Sequence, residues 1–241
     1  MTAVALIGGD GAGKTTLAEA LVDRFPKRVD YLYMGTNAAS SNFALPSTRF
    51  VYALKVRLER QARRKRGEAT SGPISLHGIE HRRDTRGHLW AAARLANRVA
   101  EETMRQIVSW VYQARGSVVV YDRHFLFDFS SENDQQRRLS ERLHMWFLEH
   151  VYPKPHLVLF LDAPSSVLYD RKHEVPEDYL DGRRRVFLQR GSSMARFALI
   201  DATEPPEKVY EDAAGMIMTL LEGRSRWWRR PPRDRTRMGG S

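Results

Sequence analysis

Five short apolar runs, Ala3–Gly8, Val29–Met34, Ser117–Tyr121, His156–Leu161 and Phe197–Ile200, punctuate this chain. Their Val, Leu and Ile residues follow one another without polar alternation, the pattern of strands buried on both faces. Between them, apolar residues recur at helical spacing over 14–25, 48–66, 86–115, 135–150, 164–192 (with a break) and 206–222. Strand and helix in alternation predict an α/β fold built on a doubly wound parallel sheet. Gly67 to Gly72, with Ser71 and Pro73, reads as a loop between two basic helices. No internal repeat is visible. The pattern predicts one domain over 1–222, with an insertion at 36–88. A tail from 223 to 241, with Pro231-Pro232 and a Gly239-Gly240-Ser241 end, has the composition of a disordered segment.

The first strand runs into Gly8-Gly9-Asp10-Gly11-Ala12-Gly13-Lys14-Thr15, followed by Thr16 and the helical Leu17-Ala18-Glu19-Ala20-Leu21-Val22. This is G-x-x-x-x-G-K-[ST] in the strand–loop–helix setting that the phosphate-binding motif requires. Gly8, Gly11, Ala12 and Gly13 let backbone N–H groups close on phosphate oxygens. Lys14 can reach the β- and γ-phosphates, and Thr15 can offer its hydroxyl to Mg²⁺. The helix start adds the positive end of its dipole.

Charge changes the picture in two places. The 241-residue chain carries a formal +10. Residues 49–98 hold 13 Lys and Arg against 4 Asp and Glu, and residues 224–241 hold 7 Arg against 1 Asp. The body between them is therefore mildly acidic, and anionic partners suit the basic segments. Trp227 and Trp228 among arginines are an interfacial composition, so weak contact with a membrane surface is one reading; nucleic acid is less favoured. The chain has no cysteine, which excludes disulfides and suits a reducing compartment. No run approaches the roughly 20 apolar residues that span a bilayer, and no signal peptide is expected. The expected location is cytoplasmic, or peripheral to the inner face of a membrane. His77, Glu80 and His81 spell H-x-x-E-H, a zinc-peptidase pattern. Gly78 and Pro73 weaken its helix and no third ligand is in sight, so a polar loop is the reading.

Three strand exits accompany the glycine loop: Val118-Val119-Val120-Tyr121-Asp122-Arg123-His124, Phe160-Leu161-Asp162-Ala163-Pro164, and Leu199-Ile200-Asp201-Ala202-Thr203 followed by Pro205-Pro206-Glu207. With these motifs, residues 3–35 and 88–222 resemble the thymidylate kinase family of P-loop nucleoside monophosphate kinases. The resemblance implies a three-layer P-loop NTPase fold, a parallel five-stranded sheet flanked by helices, with a basic helical insertion and a short lid. It implies ATP and Mg²⁺ as cofactors, a nucleotide donor with a small-molecule acceptor, and it admits a homodimer. Lys14 would hold donor phosphates and Thr15 the metal. Asp10 would sit near acceptor sugar and metal, Arg123 would hold the acceptor phosphate, and Asp122 would orient it or the metal shell. Trp90 and Arg94 match the family's aromatic-x-x-x-Arg pair that stacks on and reads the pyrimidine; on a helix they share a face. Arg171, Lys172, Arg183, Arg184 and Arg185 fall where a lid supplies arginines, with Arg171 and Arg183 placed in the catalytic set.

The acceptor side departs from the family. Where Arg-Glu-Pro-Gly-Gly usually follows the second strand, this chain has Gly35-Thr36-Asn37. Beyond Asp-Arg-His it has Phe125-Leu126-Phe127-Asp128-Phe129-Ser130-Ser131-Glu132. The expected activity is phosphoryl transfer from ATP to a small acceptor, a dTMP-like nucleoside monophosphate. The alternative acceptor is a sugar or glycan-precursor hydroxyl, for which Asp10, Asp122 and Asp128 are the candidate bases. Arg123 favours a phosphorylated acceptor, since a guanidinium fork suits phosphate oxygens. In a different class stands a nucleotide-binding regulatory or nucleic-acid-associated protein that uses the basic segments, its binding steeply weakened by salt.

Overall fold

The structure, a computed structural model, describes residues 1–26, 28–35, 57, 88–128, 139–173 and 175–228, with backbone alone at 88–91, 94, 128 and 223–228. The helix expected at 48–66, the loop at 67–72, the His77–His81 motif and the tail beyond 228 lie outside the described residues.

The five apolar runs become β1 (Thr2–Gly8), β2 (Val29–Tyr33), β3 (Val118–Asp122), β4 (Leu157–Asp162) and β5 (Phe197–Asp201). They form one parallel sheet in the order β2-β3-β1-β4-β5. β1 lies at the centre, and all seven of its residues are buried. Helices are α1 (Lys14–Arg24), α2 (His88–Ala114), the short α3 (Phe125–Asp128), α4 (Leu139–His150), α5 (Ser165–Arg171), α6 (Glu177–Gly191) and α7 (Pro206–Trp228). The sheet flanked by helices is the three-layer α/β arrangement that the pattern predicts.

Alternation along β1 assigns the two helix layers. Val4 and Leu6 face a core with Leu17, Ala18 and Leu21 of α1 and Val209, Ala213 and Ile217 of α7. Ala3, Ala5 and Ile7 face the other core, with Leu148 of α4 and Phe187 of α6. Right-handed crossovers require this split, because β1 passes its chain one way along the sheet and β2, β3 and β4 pass theirs the other way.

The break expected within 164–192 falls between α5 and α6, with Pro176 at the N-cap of α6. One boundary differs from the sequence reading. Helix α7 runs on to Trp228, so the first residues assigned to the tail continue a helix. Among the described residues no helix is long and apolar enough to cross a membrane.

Helix α2 is inverted. Its buried side chains are Glu101, Glu102, Arg105, Gln106, Ser109 and Gln113, while Ile107, Trp110 and Val111 stay exposed. Most inward polar groups are paired: Arg105 donates to Glu101 and, at 2.6 Å, to the Gly35 carbonyl just past β2; Glu102 meets His144 of α4 at 2.8 Å; Ser109 meets the Tyr121 hydroxyl at 2.7 Å; Gln106 Oε1 is buried with no hydrogen-bond partner among the described residues.

Candidate active site

The order β2-β3-β1-β4-β5 has one switch point. β1 sends its chain toward β2, and β3 sends its chain across β1 to β4, so the loops after β1 and β3 part and leave a crevice between them. Open α/β sheets bind ligands there. The glycine loop follows β1, and Asp122-Arg123-His124 ends β3.

The loop turns on two residues with positive φ, Gly11 at 89° and Gly13 at 82°. Gly13 is the N-cap of α1 in the left-handed region that glycine adopts without penalty. At Gly11 a Cβ would also lie 3.0 Å from the Leu168 carbonyl oxygen, because α5 packs against the outside of the loop. The Ala12 N–H reaches the Gly9 carbonyl at 3.3 Å. Lys14 folds across the loop and donates to that same carbonyl at 2.7 Å, leaving it almost fully buried. Thr15 and Thr16 sit exposed on the first turn of α1. Thr15 donates its hydroxyl to Asp122 Oδ2 at 2.7 Å, and Tyr31 donates to the same oxygen at 3.0 Å. Asp122 Oδ1 is buried and has no hydrogen-bond partner among the described residues.

Arg123 has φ 69°, the single positive value outside glycine among the described residues. Such a conformation costs on the order of 1–3 kcal/mol and persists where the surroundings enforce it. Here the Arg123 N–H is held by the Leu6 carbonyl at 3.0 Å. The side chain then crosses to the glycine loop, where its guanidinium donates to Asp10 Oδ1 at 2.6 Å. Burial pushes the Asp10 carboxyl up, but Arg123 and Lys14 outweigh it and hold it below the usual range. His124 is fully buried among Tyr121, Phe125, Phe127 and Tyr152, and burial pushes its imidazole down to about 3. A small cleft is lined by Gly8, Lys14, Arg123, His124, Arg183 and Phe187, among others.

The lid arginines divide. Arg183 reaches the cleft, its guanidinium 4.9 Å above the Phe187 ring, and its charge acts on Asp10. Arg171 donates to the Ala202 carbonyl at 2.8 Å beside β5, and Arg184 clamps Asp162 through two bonds of 2.6 and 2.7 Å. Lys172 and Arg185 are exposed. So Lys14, Asp122, Arg123 and Arg183 converge with Asp10 and Thr15, while Arg171 is held at the β5 exit.

Trp90 and Arg94 lie on the backbone of α2, their side chains outside the described residues. Arg105, at the level of Gly35, marks where α2 passes the carboxyl edge of the sheet. The Asp128 side chain is likewise outside the described residues.

Tyr31, His124, Arg105 and Phe187 were not marked as site residues by the sequence. Tyr31 and Tyr33 alternate along β2, which is the one signal that a polar ring end would reach the site. Among the described residues no group of three His, Asp or Glu could hold a metal by itself. The chain matches no protein-family model and no curated protein.

Proposed function

We propose that this chain is an ATP- and Mg²⁺-dependent P-loop phosphotransferase, thymidylate kinase-like, whose acceptor is a small phosphomonoester. The observation that carries the reading is the meeting of Lys14, Thr15 and Asp122 with Arg123 across one crevice. The residues fit the metal: Thr15 presents a hydroxyl tied to a buried carboxylate whose Oδ1 is unsatisfied. When bound, Mg²⁺ supplies charge neutralisation on the donor phosphates.

Lys14 would exchange the Gly9 carbonyl for a donor phosphate oxygen, and the N–H groups of the glycine loop would face the same phosphates. Arg123 would exchange Asp10 for the acceptor phosphate, a bidentate match for its guanidinium. An acceptor phosphate oxygen then bonds to the γ-phosphorus as the bond to the β–γ bridging oxygen breaks and ADP leaves. Arg183 is close enough to the cleft to neutralise charge on the transferring group.

The groups at hand favour an anionic acceptor over a hydroxyl. A hydroxyl needs a base to take its proton. Asp10 is an ion-paired carboxylate held at low pKa, Asp122 accepts two hydrogen bonds, and His124 stays neutral through the physiological range. A phosphomonoester, with a second pKa near 6, arrives already ionised.

The test is ADP release from Mg-ATP over a panel of nucleoside monophosphates, sugar phosphates and unphosphorylated sugars, with Lys14→Ala as blank. Turnover with a phosphomonoester supports the reading. Turnover confined to free hydroxyls replaces the acceptor. ATP hydrolysis that only nucleic acid stimulates, fading with salt, replaces the class.

A further inference from the structure

Asp122 is 2 % exposed, and two hydroxyl donors converge on one of its oxygens. Thr15 donates to Oδ2 at 2.7 Å and Tyr31 at 3.0 Å. A buried carboxylate needs such partners, because losing its water is costly. The other oxygen, Oδ1, is buried and has no hydrogen-bond partner among the described residues. The carboxylate is thus gripped by one oxygen and presents the other.

The two donors belong to different parts of the fold. Thr15 stands on the first turn of α1 and follows the glycine loop. Tyr31 stands in β2. The register explains its reach. Tyr31 lies opposite Val120, and Tyr33 lies opposite Asp122. Tyr31 is therefore the diagonal neighbour of Asp122 on the same face of the sheet. Strand side chains lean along the strand, and a tyrosine is long enough to reach a diagonal neighbour. Tyr33, directly opposite, has its hydroxyl at Gly35 instead, 2.5 Å from where a Cβ would stand there. The Tyr31 ring packs against the core shared by α1 and α7, which fixes the hydroxyl at its end. That hydroxyl remains a donor: burial, and then the charge of Asp122, push the phenol above its ordinary range.

We propose that Tyr31 is a positioning residue for the metal–nucleotide donor: anchored on the sheet, it holds Asp122 so that Oδ1 and the Thr15 oxygen are set for Mg²⁺ before the donor arrives. This rests on the phosphotransferase reading above. The one hydroxyl proton of Thr15 is given to Asp122, which leaves the lone pairs of its oxygen for the metal. Without Tyr31, Asp122 would be oriented by Thr15 alone, and Thr15 rides on the loop that must adapt to the phosphates. Hydrogen bonds that orient the groups around a metal are worth about 10- to 100-fold in metal affinity. A tyrosine that served only the packing of β2 would affect nucleotide binding equally with and without metal.

The test uses the full chain and two binding measurements that need no turnover. Tyr31→Phe removes the hydroxyl and keeps the ring. Mn²⁺, standing in for Mg²⁺, is titrated into protein saturated with the β,γ-imido analogue of ATP, and free Mn²⁺ is read by electron paramagnetic resonance. Affinity for the analogue in EDTA is read by calorimetry. The variant complex is expected to hold Mn²⁺ about tenfold more weakly, with affinity in EDTA within about twofold of the wild type. In an Asp122→Ala background the same substitution should change Mn²⁺ affinity by less than about twofold, because the hydroxyl acts through that carboxylate. Mn²⁺ affinity untouched by Tyr31→Phe, an equal loss with and without metal, or an undiminished effect in Asp122→Ala would each overturn the proposal while leaving the phosphotransferase reading in place. A wild type that binds no analogue, or binds it identically with Mn²⁺ and in EDTA, would overturn that reading and this inference with it.

Discussion

Asp10 and Arg123 hold each other across the mouth of the glycine loop, 2.6 Å apart, and each is the other's competitor for a ligand. An incoming phosphate must take Arg123 from the carboxylate. Charge-assisted hydrogen bonds of this kind contribute about 1.5–3 kcal/mol. Arg123→Ala is therefore expected to raise the acceptor KM about 10- to 100-fold and to leave donor nucleotide affinity within a few-fold, in steady-state kinetics with nucleotide binding measured separately. An equal loss on both sides would remove Arg123 from the acceptor's phosphate. The neighbouring residue makes a different prediction. His124 is pushed from an ordinary 6.5 to about 3 by burial, so the unfolded chain binds a proton below pH 6.5 that the folded chain refuses. Stability from this group is whole above pH 6.5 and falls as pH drops toward 3. Between pH 6.5 and 5 the loss is about 2 kcal/mol. Urea titrations of the wild type against His124→Phe, whose ring suits the same aromatic cluster, should show the variant missing that portion of the slope. Parallel pH curves would mean that the imidazole is already solvated or paired in the folded chain.

Elements show how far the sequence can be read. β1, β3 and β4 were legible because nothing but burial on both faces explains runs such as Val118-Val119-Val120. A break within 164–192 was expected, and the structure places it at Pro176, which cannot sit inside a helix without losing a bond. The inward face of α2 was not legible. Periodicity shows that a helix has an apolar and a polar side, but it does not say which side meets the sheet, and here the polar side does. Arg105 was invisible for that reason, although it joins α2 to the end of β2. Removing one partner of a buried ion pair costs about 3–5 kcal/mol, because the other is left uncompensated. Arg105→Met should lower stability by about 3 kcal/mol in urea, and adding Glu101→Leu should restore part of it. Two glycines sort in the same way. Gly11→Ala, at φ 89° and against the Leu168 carbonyl, should destabilise by about 1–2 kcal/mol. Gly215→Ala, in α7 with nothing within 4 Å of the new Cβ, should stabilise by about 0.5–1 kcal/mol. Calorimetric melting of the pair checks both signs at once.

At the scale of the whole molecule, α2 ties together elements that stand far apart in the sequence. Arg105 donates to the Gly35 carbonyl just past β2. Ser109 meets the Tyr121 hydroxyl of β3. Glu102 meets His144 of α4, and both side chains are buried. Buried polar networks stabilise while every member is satisfied and cost stability when one loses its partner. Glu102→Leu should therefore lower stability by about 1–3 kcal/mol in urea titrations, because the His144 ring is left against an apolar side chain. His144→Leu should cost a similar amount, because it leaves the Glu102 carboxyl group buried without that partner. The double variant should recover part of the loss, since both polar groups are then gone and the two leucines can pack. Strictly additive losses in this double-mutant cycle would mean that the two side chains do not interact in the folded chain, and that α2 is held on the domain by its other contacts alone.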